Sequence, residues 1–203
     1  MELDHFDLDA DHILYDMTRL FRIRNNSFGT GVDRIDLAAA KQISDRFGNK
    51  VSYVGSVLGY PGLLSPQAAA DLMETLLHRW QKTDTANADT PNQMSNLAAY
   101  ATLAKAVYRF SRSAAQWRQQ PSRKAYLVCS HSGLPRSSQG LDRLVNATQA
   151  QVHAYIHDLI PITHPQYQKH GQDVSMDYYV KRLASQNPRW IANSHFTADT
   201  LAH

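Results

Sequence analysis

Cysteine and glutamate are nearly missing from this chain of 203 residues. The single cysteine, Cys129, excludes a disulfide scaffold and a cysteine-based zinc site, and it suits a reducing compartment. Glu2 and Glu74 are the only glutamates, so a mechanism that needs a glutamate pair is not contained here. No apolar run approaches the roughly 20 residues of a membrane-spanning helix. Glu2, Asp4, Asp7, Asp9 and Asp11 give the N-terminus the wrong chemistry for a secretory signal. Together these absences predict a cytoplasmic protein. Acid is also missing locally, because no Asp or Glu occurs from Thr90 to Leu141. Residues 1–90 carry a net charge of −4 and residues 91–203 a net charge of +7. A basic half points to an anionic partner such as phosphate, nucleic acid or a lipid surface.

What is present is an ordinary globular composition, 43% apolar and 19% charged, of a length that suits one domain. His12-Ile13-Leu14-Tyr15 reads as a first strand. After Gly29-Thr30-Gly31, the apolar residues Val32, Ile35, Leu37, Ile43 and Phe47 recur at helical spacing, and Gly48-Asn49 stops them. Val51 to Leu58 reads as a strand, and Ser65-Pro66 as the start of a helix to about Lys82. Pro91 to Gln119 reads as a long helix with Tyr100, Leu103, Val107, Phe110, Ala114 and Trp117 on one face. Lys105, Arg109 and Arg112 fall opposite. Strands over Ala125–Cys129, Val152–Ile156 and Trp190–Ala192 alternate with helices over Gln139–Gln149, Met176–Ala184 and Ser194–His203. Such alternation predicts an α/β fold, a parallel sheet with helices on both faces. Ligands of these sheets bind at the carboxyl ends of the strands, so the loops after Tyr15, Cys129, Ile156 and Asn193 are the places to look.

Four features there carry candidate chemistry, each with a plainer alternative. Thr30-Gly31-Val32-Asp33-Arg34 leads a glycine turn into a helix start, which offers backbone N–H groups to a phosphate or carboxylate. The alternative is a simple strand-to-helix connection; the segment is neither a dinucleotide fingerprint nor a P-loop. His157-Asp158 stands at the end of a strand, where an imidazole can bond a hydroxyl or take a proton near neutral pH. The alternative is a pair that satisfies loop backbone groups. Cys129-Ser130-His131-Ser132-Gly133 resembles a nucleophile elbow, but Cys129 replaces its first glycine; Ser130 and His131 are kept as cleft-lining candidates. The helix bearing Lys105, Arg109, Arg112 and Trp117 suits an anionic membrane surface, or equally a core helix with a solvated basic face. No metal set and no nucleic-acid motif is visible.

Taken in order, four segments resemble the N-terminal domain of a retaining, family 4 glycosyltransferase of the GT-B fold. They are Tyr15-Asp16-Met17-Thr18-Arg19-Leu20, Thr30-Gly31-Val32-Asp33-Arg34-Ile35, His157-Asp158-Leu159-Ile160-Pro161-Ile162, and Ile191-Ala192-Asn193-Ser194-His195-Phe196. The resemblance implies one Rossmann-like domain over residues 1–203, the acceptor-binding half of a two-domain enzyme. Its partners would be a nucleotide-sugar donor, held mainly by a C-terminal domain, and a lipid-linked or polysaccharide acceptor. Attachment at the inner membrane face and a homo-oligomer are compatible with it; no cofactor or obligatory metal is implied. The Thr30-Gly31 loop would approach the donor phosphates or the reacting sugar. His157 would bond the donor sugar or help at the reacting centre. Asp158 would orient that histidine or the acceptor, and Asn193-Ser194 would start the helix beside the hinge. The family's glutamate pair has no counterpart, since Lys82 stands eight positions after Glu74. The chain alone is therefore expected to transfer negligible sugar. The competing expectation is a non-enzymatic Rossmann-like module that binds carbohydrate or anionic surfaces.

Overall fold

A computed structural model describes residues 8–82, 96–119 and 122–202. In chain order the elements are β1 (His12–Asp16), α1 (Thr18–Arg22), α2 (Gly31–Phe47), β2 (Val51–Val57), β3 (Tyr60–Leu63), α3 (Pro66–Lys82), α4 (Asn96–Gln119), β4 (Lys124–Val128), α5 (Gly140–Thr148), β5 (Gln151–Ile156), α6 (Ile160–Thr163), α7 (Gln172–Ala184), β6 (Arg189–Ala192) and α8 (His195–Ala202). The strands form a sheet in the order β3-β2-β1-β4-β5-β6. All neighbours are parallel except β2 and β3. This is a Rossmann-like α/β fold, as the alternation of strand and helix signals requires.

Side-chain alternation along the strands divides the core into two layers. Ile13 and Tyr15 of β1 and Leu127 of β4 join Leu37, Ile43 and Leu76 under α2 and α3. Leu14, Tyr126 and Val128 point the other way, onto Phe110, Leu144 and Tyr179 of α4, α5 and α7. A sheet covered on both faces explains the nearly unbroken apolar strands.

The sequence reading missed β3. Its Pro61-Gly62 pair is poor strand material, but β3 is the outer strand, where proline costs no ladder bond. Gly62 also lets α4 lie close, since a Cβ there would stand 3.1 Å from the Ala106 side chain. Leu58, expected to end a strand, is instead the first turn residue of the β2–β3 hairpin. Leu58 and Gly59 have φ of 49° and 84°, positive at both turn positions, as a two-residue hairpin of the primed type requires. The expected start of the long helix at Pro91 lies outside the described residues.

The order of connections reverses between β1 and β4, and that reversal opens a crevice at their carboxyl ends. Among the described residues, no helix is long and apolar enough to cross a membrane.

Candidate functional site

The floor of the crevice is built on a buried carboxyl. Asp16, the last residue of β1, accepts the backbone N–H of Thr18 at 2.8 Å, the backbone N–H of Leu134 at 3.0 Å and the Tyr126 hydroxyl. Burial raises its pKa, and these bonds pull it partly back. Gly133 presses against this carboxyl with φ of 87°, so any side chain there would be strained and would collide with Asp16. Two hydroxyls then lock the walls. Thr18 Oγ1 accepts the Ser56 backbone N–H at 2.7 Å, which ties α1 to β2. Ser137 Oγ donates to the Gly59 carbonyl at 2.9 Å and accepts the Gly140 N–H, which ties the hairpin to α5.

These locks enclose an open cavity of about 530 Å³, within the range of small-molecule sites. Thr18, Arg22, Ser56, Leu58, Arg136 and Ser138 are among its lining residues, and no carboxylate is. Arg136 is held firmly: Nε donates to the His131 carbonyl at 3.0 Å, Nη1 to the Ser175 carbonyl at 2.6 Å, and the guanidinium lies 5.1 Å from the Tyr179 ring centre. Sequence reasoning overlooked Arg22, Arg136 and this cavity. The acid-free stretch was the one signal that included Arg136.

Beside the cavity lies a histidine cluster. His157 follows β5 and is buried, with Nε2 2.8 Å from the Cys129 carbonyl. A carbonyl only accepts, so Nε2 carries hydrogen and Nδ1 is the ring's acceptor. The His157 backbone N–H donates to His131 Nε2 at 3.2 Å, which makes that nitrogen an acceptor and His131 neutral. Burial, then the neighbouring His157 and Arg136, depress His131 to about 3. Burial also lowers His157, against the opposing pull of the Cys129 bond and Asp158. The Asp158 side chain accepts the Ile160 N–H at 3.1 Å, so it secures the turn into α6 while the Cys129 carbonyl fixes the histidine ring.

Several expected site residues turn out to be supports. Ser130 is 1% exposed, bonds the Ser132 hydroxyl at 3.2 Å and receives the Tyr179 hydroxyl on its carbonyl, so it lies beneath the loop instead of lining the cleft. Burial pushes the Cys129 thiol up, which removes it as a nucleophile. At the start of α2, Thr30 and Asp33 form a capping box: the Asp33 carboxylate accepts the Thr30 N–H at 2.8 Å and its hydroxyl at 2.7 Å. Asp33 also pairs with Arg19. Burial works against the charged form, but Thr30 and Arg19 outweigh it and hold Asp33 below the usual carboxylate range. The chain's own carboxylate thus sits where an external anion was expected. Val32 is half-buried, while Gly31 and Arg34 stay exposed. Asn193 and Ser194 both serve Thr197: Oδ1 accepts its hydroxyl at 3.0 Å and Oγ its N–H at 3.2 Å, which caps α8.

The capped start of α2 follows β1, and His131 and His157 follow β4 and β5, so all three lie toward the carboxyl end of the parallel strands. On α4, Lys105, Arg109 and Arg112 are exposed as expected. Trp117 is a correction: it is 9% exposed and packs edge-on to Phe110 at 5.8 Å, so it belongs to the core and not to the basic surface. Among the described residues, no group of three or more metal-binding side chains converges. Comparison with known protein families and with characterised proteins finds no match to the chain.

Proposed function

We propose that the chain is the acceptor-side domain of a retaining GT-B glycosyltransferase, moving a sugar from a nucleotide sugar to a lipid-linked or polysaccharide acceptor. The observation that carries this reading is the cationic, hydroxyl-lined cavity at the reversal point of the sheet, with a neutral histidine cluster beside it. Sugar hydroxyls need acceptors such as His157 Nδ1 and donors such as serine hydroxyls, and anionic substrates need guanidinium groups. The exposed Lys105, Arg109 and Arg112 would hold the domain to an anionic membrane surface near a lipid-linked acceptor.

The test is a transfer assay on a protein that joins this chain to a donor-binding domain. His157→Ala should lower kcat by about 100-fold, the usual size of a lost acid–base or transition-state contact. Unchanged transfer would remove His157 from the chemistry. A second reading, a non-enzymatic module that binds carbohydrate or anionic surfaces, is favoured by one observation. Both His157 Nε2 and Asp158 are already engaged by backbone groups. Carbohydrate binding without any transfer in the joined protein would select it.

A further inference from the structure

Two guanidinium groups, Arg22 and Arg136, line the same cavity, and no carboxylate lines it with them. Their mutual repulsion is felt: beyond the effect of burial, the charge of Arg22 lowers the pKa of Arg136. Holding like charges together in a partly desolvated site is unfavourable unless something neutralises them. Three other arginines of the fold escape this cost. Arg123 pairs with Asp9 and Asp11, Arg182 with Asp142, and Arg19 with Asp33. For Arg22, no such bond or ion pair occurs among the described residues.

Arg136 is also preorganised. His131 and Ser175 carbonyls take Nε and Nη1, and Tyr179 supports the plane. Nη2 takes no part in these bonds, and the Thr18 and Ser138 hydroxyls belong to the same cavity lining. A fixed guanidinium and an exposed one in the same lining, the latter unpaired among the described residues, with hydroxyls beside them, match an oxyanion with several acceptor oxygens. Leu58 adds a second feature. It is 93% exposed at the mouth of the cavity and is held at φ of 49°, a conformation that a branched apolar residue adopts at a cost.

We propose that the cavity between β1, the β2–β3 hairpin and the Leu134–Arg136 turn binds a phosphate or diphosphate group, clamped between Arg22 and Arg136. This rests on the acceptor-side reading only for the ligand's remainder, a sugar or lipid carried on that phosphate. The anion site itself requires no glycosyl transfer. The phosphate is either on a soluble molecule or on a lipid, and in the second case Leu58 lies against the apolar chain.

Titration calorimetry of the chain with inorganic pyrophosphate reads the site directly. Arg22→Ala, a change at an exposed residue, should weaken binding about tenfold or more, the loss expected of one charge-assisted contact. Arg136→Lys should do the same, because an ammonium cannot keep the His131 and Ser175 bonds and also hold the ligand. Circular dichroism confirms that each variant is folded. Lys41→Ala, at an exposed ion pair on α2, should bind as the parent does. A parallel arm uses phosphatidylcholine vesicles with and without phosphatidic acid. Loss of vesicle binding in both Arg22→Ala and Leu58→Ser assigns the phosphate to a lipid, and loss of pyrophosphate binding alone assigns it to a soluble ligand. No pyrophosphate binding by the parent chain, or equal losses in Arg22→Ala and Lys41→Ala, overturns the proposal. Pyrophosphate binding in a chain whose joined form transfers no sugar would instead sink only the transferase reading.

Discussion

Asp36→Asn replaces a buried titrating carboxyl of α2 by a neutral amide of nearly the same size. Asp36 is fully buried in α2, where the Tyr15 hydroxyl donates to its Oδ1 at 2.7 Å and its Oδ2 has no hydrogen-bond partner. Burial, aided by the nearby Asp16 and Asp33 and opposed by the Tyr15 bond and Arg19, pushes this carboxyl from 3.8 up to about 7. The folded state therefore holds the proton more tightly than the unfolded state. The resulting stability is fully present below pH 3.8 and is lost as pH rises through about 7. At about 1.4 kcal/mol per pH unit, the whole window amounts to about 4 kcal/mol, and the part between pH 5 and pH 8 to about 2–3 kcal/mol. Asparagine does not titrate, so this dependence should vanish in the variant. His131 and His153, depressed by burial to about 3 and about 4, change stability in the opposite direction with pH. They are common to both proteins and cancel in the difference. Urea unfolding at pH 5, 6, 7 and 8 should show Asp36→Asn gaining about 2–3 kcal/mol on the parent across that range. A gap that stays constant with pH would refute the assignment of a protonated Asp36.

Other consequences follow from the same geometry. Gly133→Ala should cost about 2 kcal/mol or more in urea unfolding, because φ of 87° and the Asp16 carboxyl both oppose a side chain; a neutral result would contradict the packing of Gly133 against Asp16. Leu58→Asn should raise stability by about 0.5–1 kcal/mol, since asparagine tolerates the hairpin turn better than leucine. The depressed His131 should make the parent lose stability as pH falls through 6.5, a loss that His131→Gln should reduce in acid unfolding curves. Charge reversal at Lys105, Arg109 and Arg112 should abolish salt-sensitive co-sedimentation with anionic vesicles, and unaffected binding would reject the membrane role of α4.

Most of the fold was legible because the strands are short apolar runs bounded by turn residues. β1, β4, β5 and β6 fall within a residue or so of their expected places, and Ser194 caps α8 as predicted. β3 was not legible, since Pro61-Gly62 carries no strand signal and only the Leu58-Gly59 turn and the cover of α4 make it one. His157 could be placed at a strand end from pattern alone. Its ring partner could not, because Cys129 is 28 positions away in the chain and meets it only through β4–β5 pairing. Arg136 was hidden for the same reason: its neighbours Thr18, Ser56 and Ser175 come from three separate segments. Trp117 misled because an aromatic residue on an amphipathic basic helix reads the same whether it meets lipid or a core.

The central claim concerns a retaining sugar transfer, and its stereochemistry can be read directly. The protein joining this domain to a donor-binding domain would be supplied with nucleotide sugar and acceptor, and the new glycosidic linkage examined by NMR. The account predicts a product with the donor's anomeric configuration, formed far more slowly by His157→Ala. An inverted product, or retention at an undiminished rate in that variant, would contradict it.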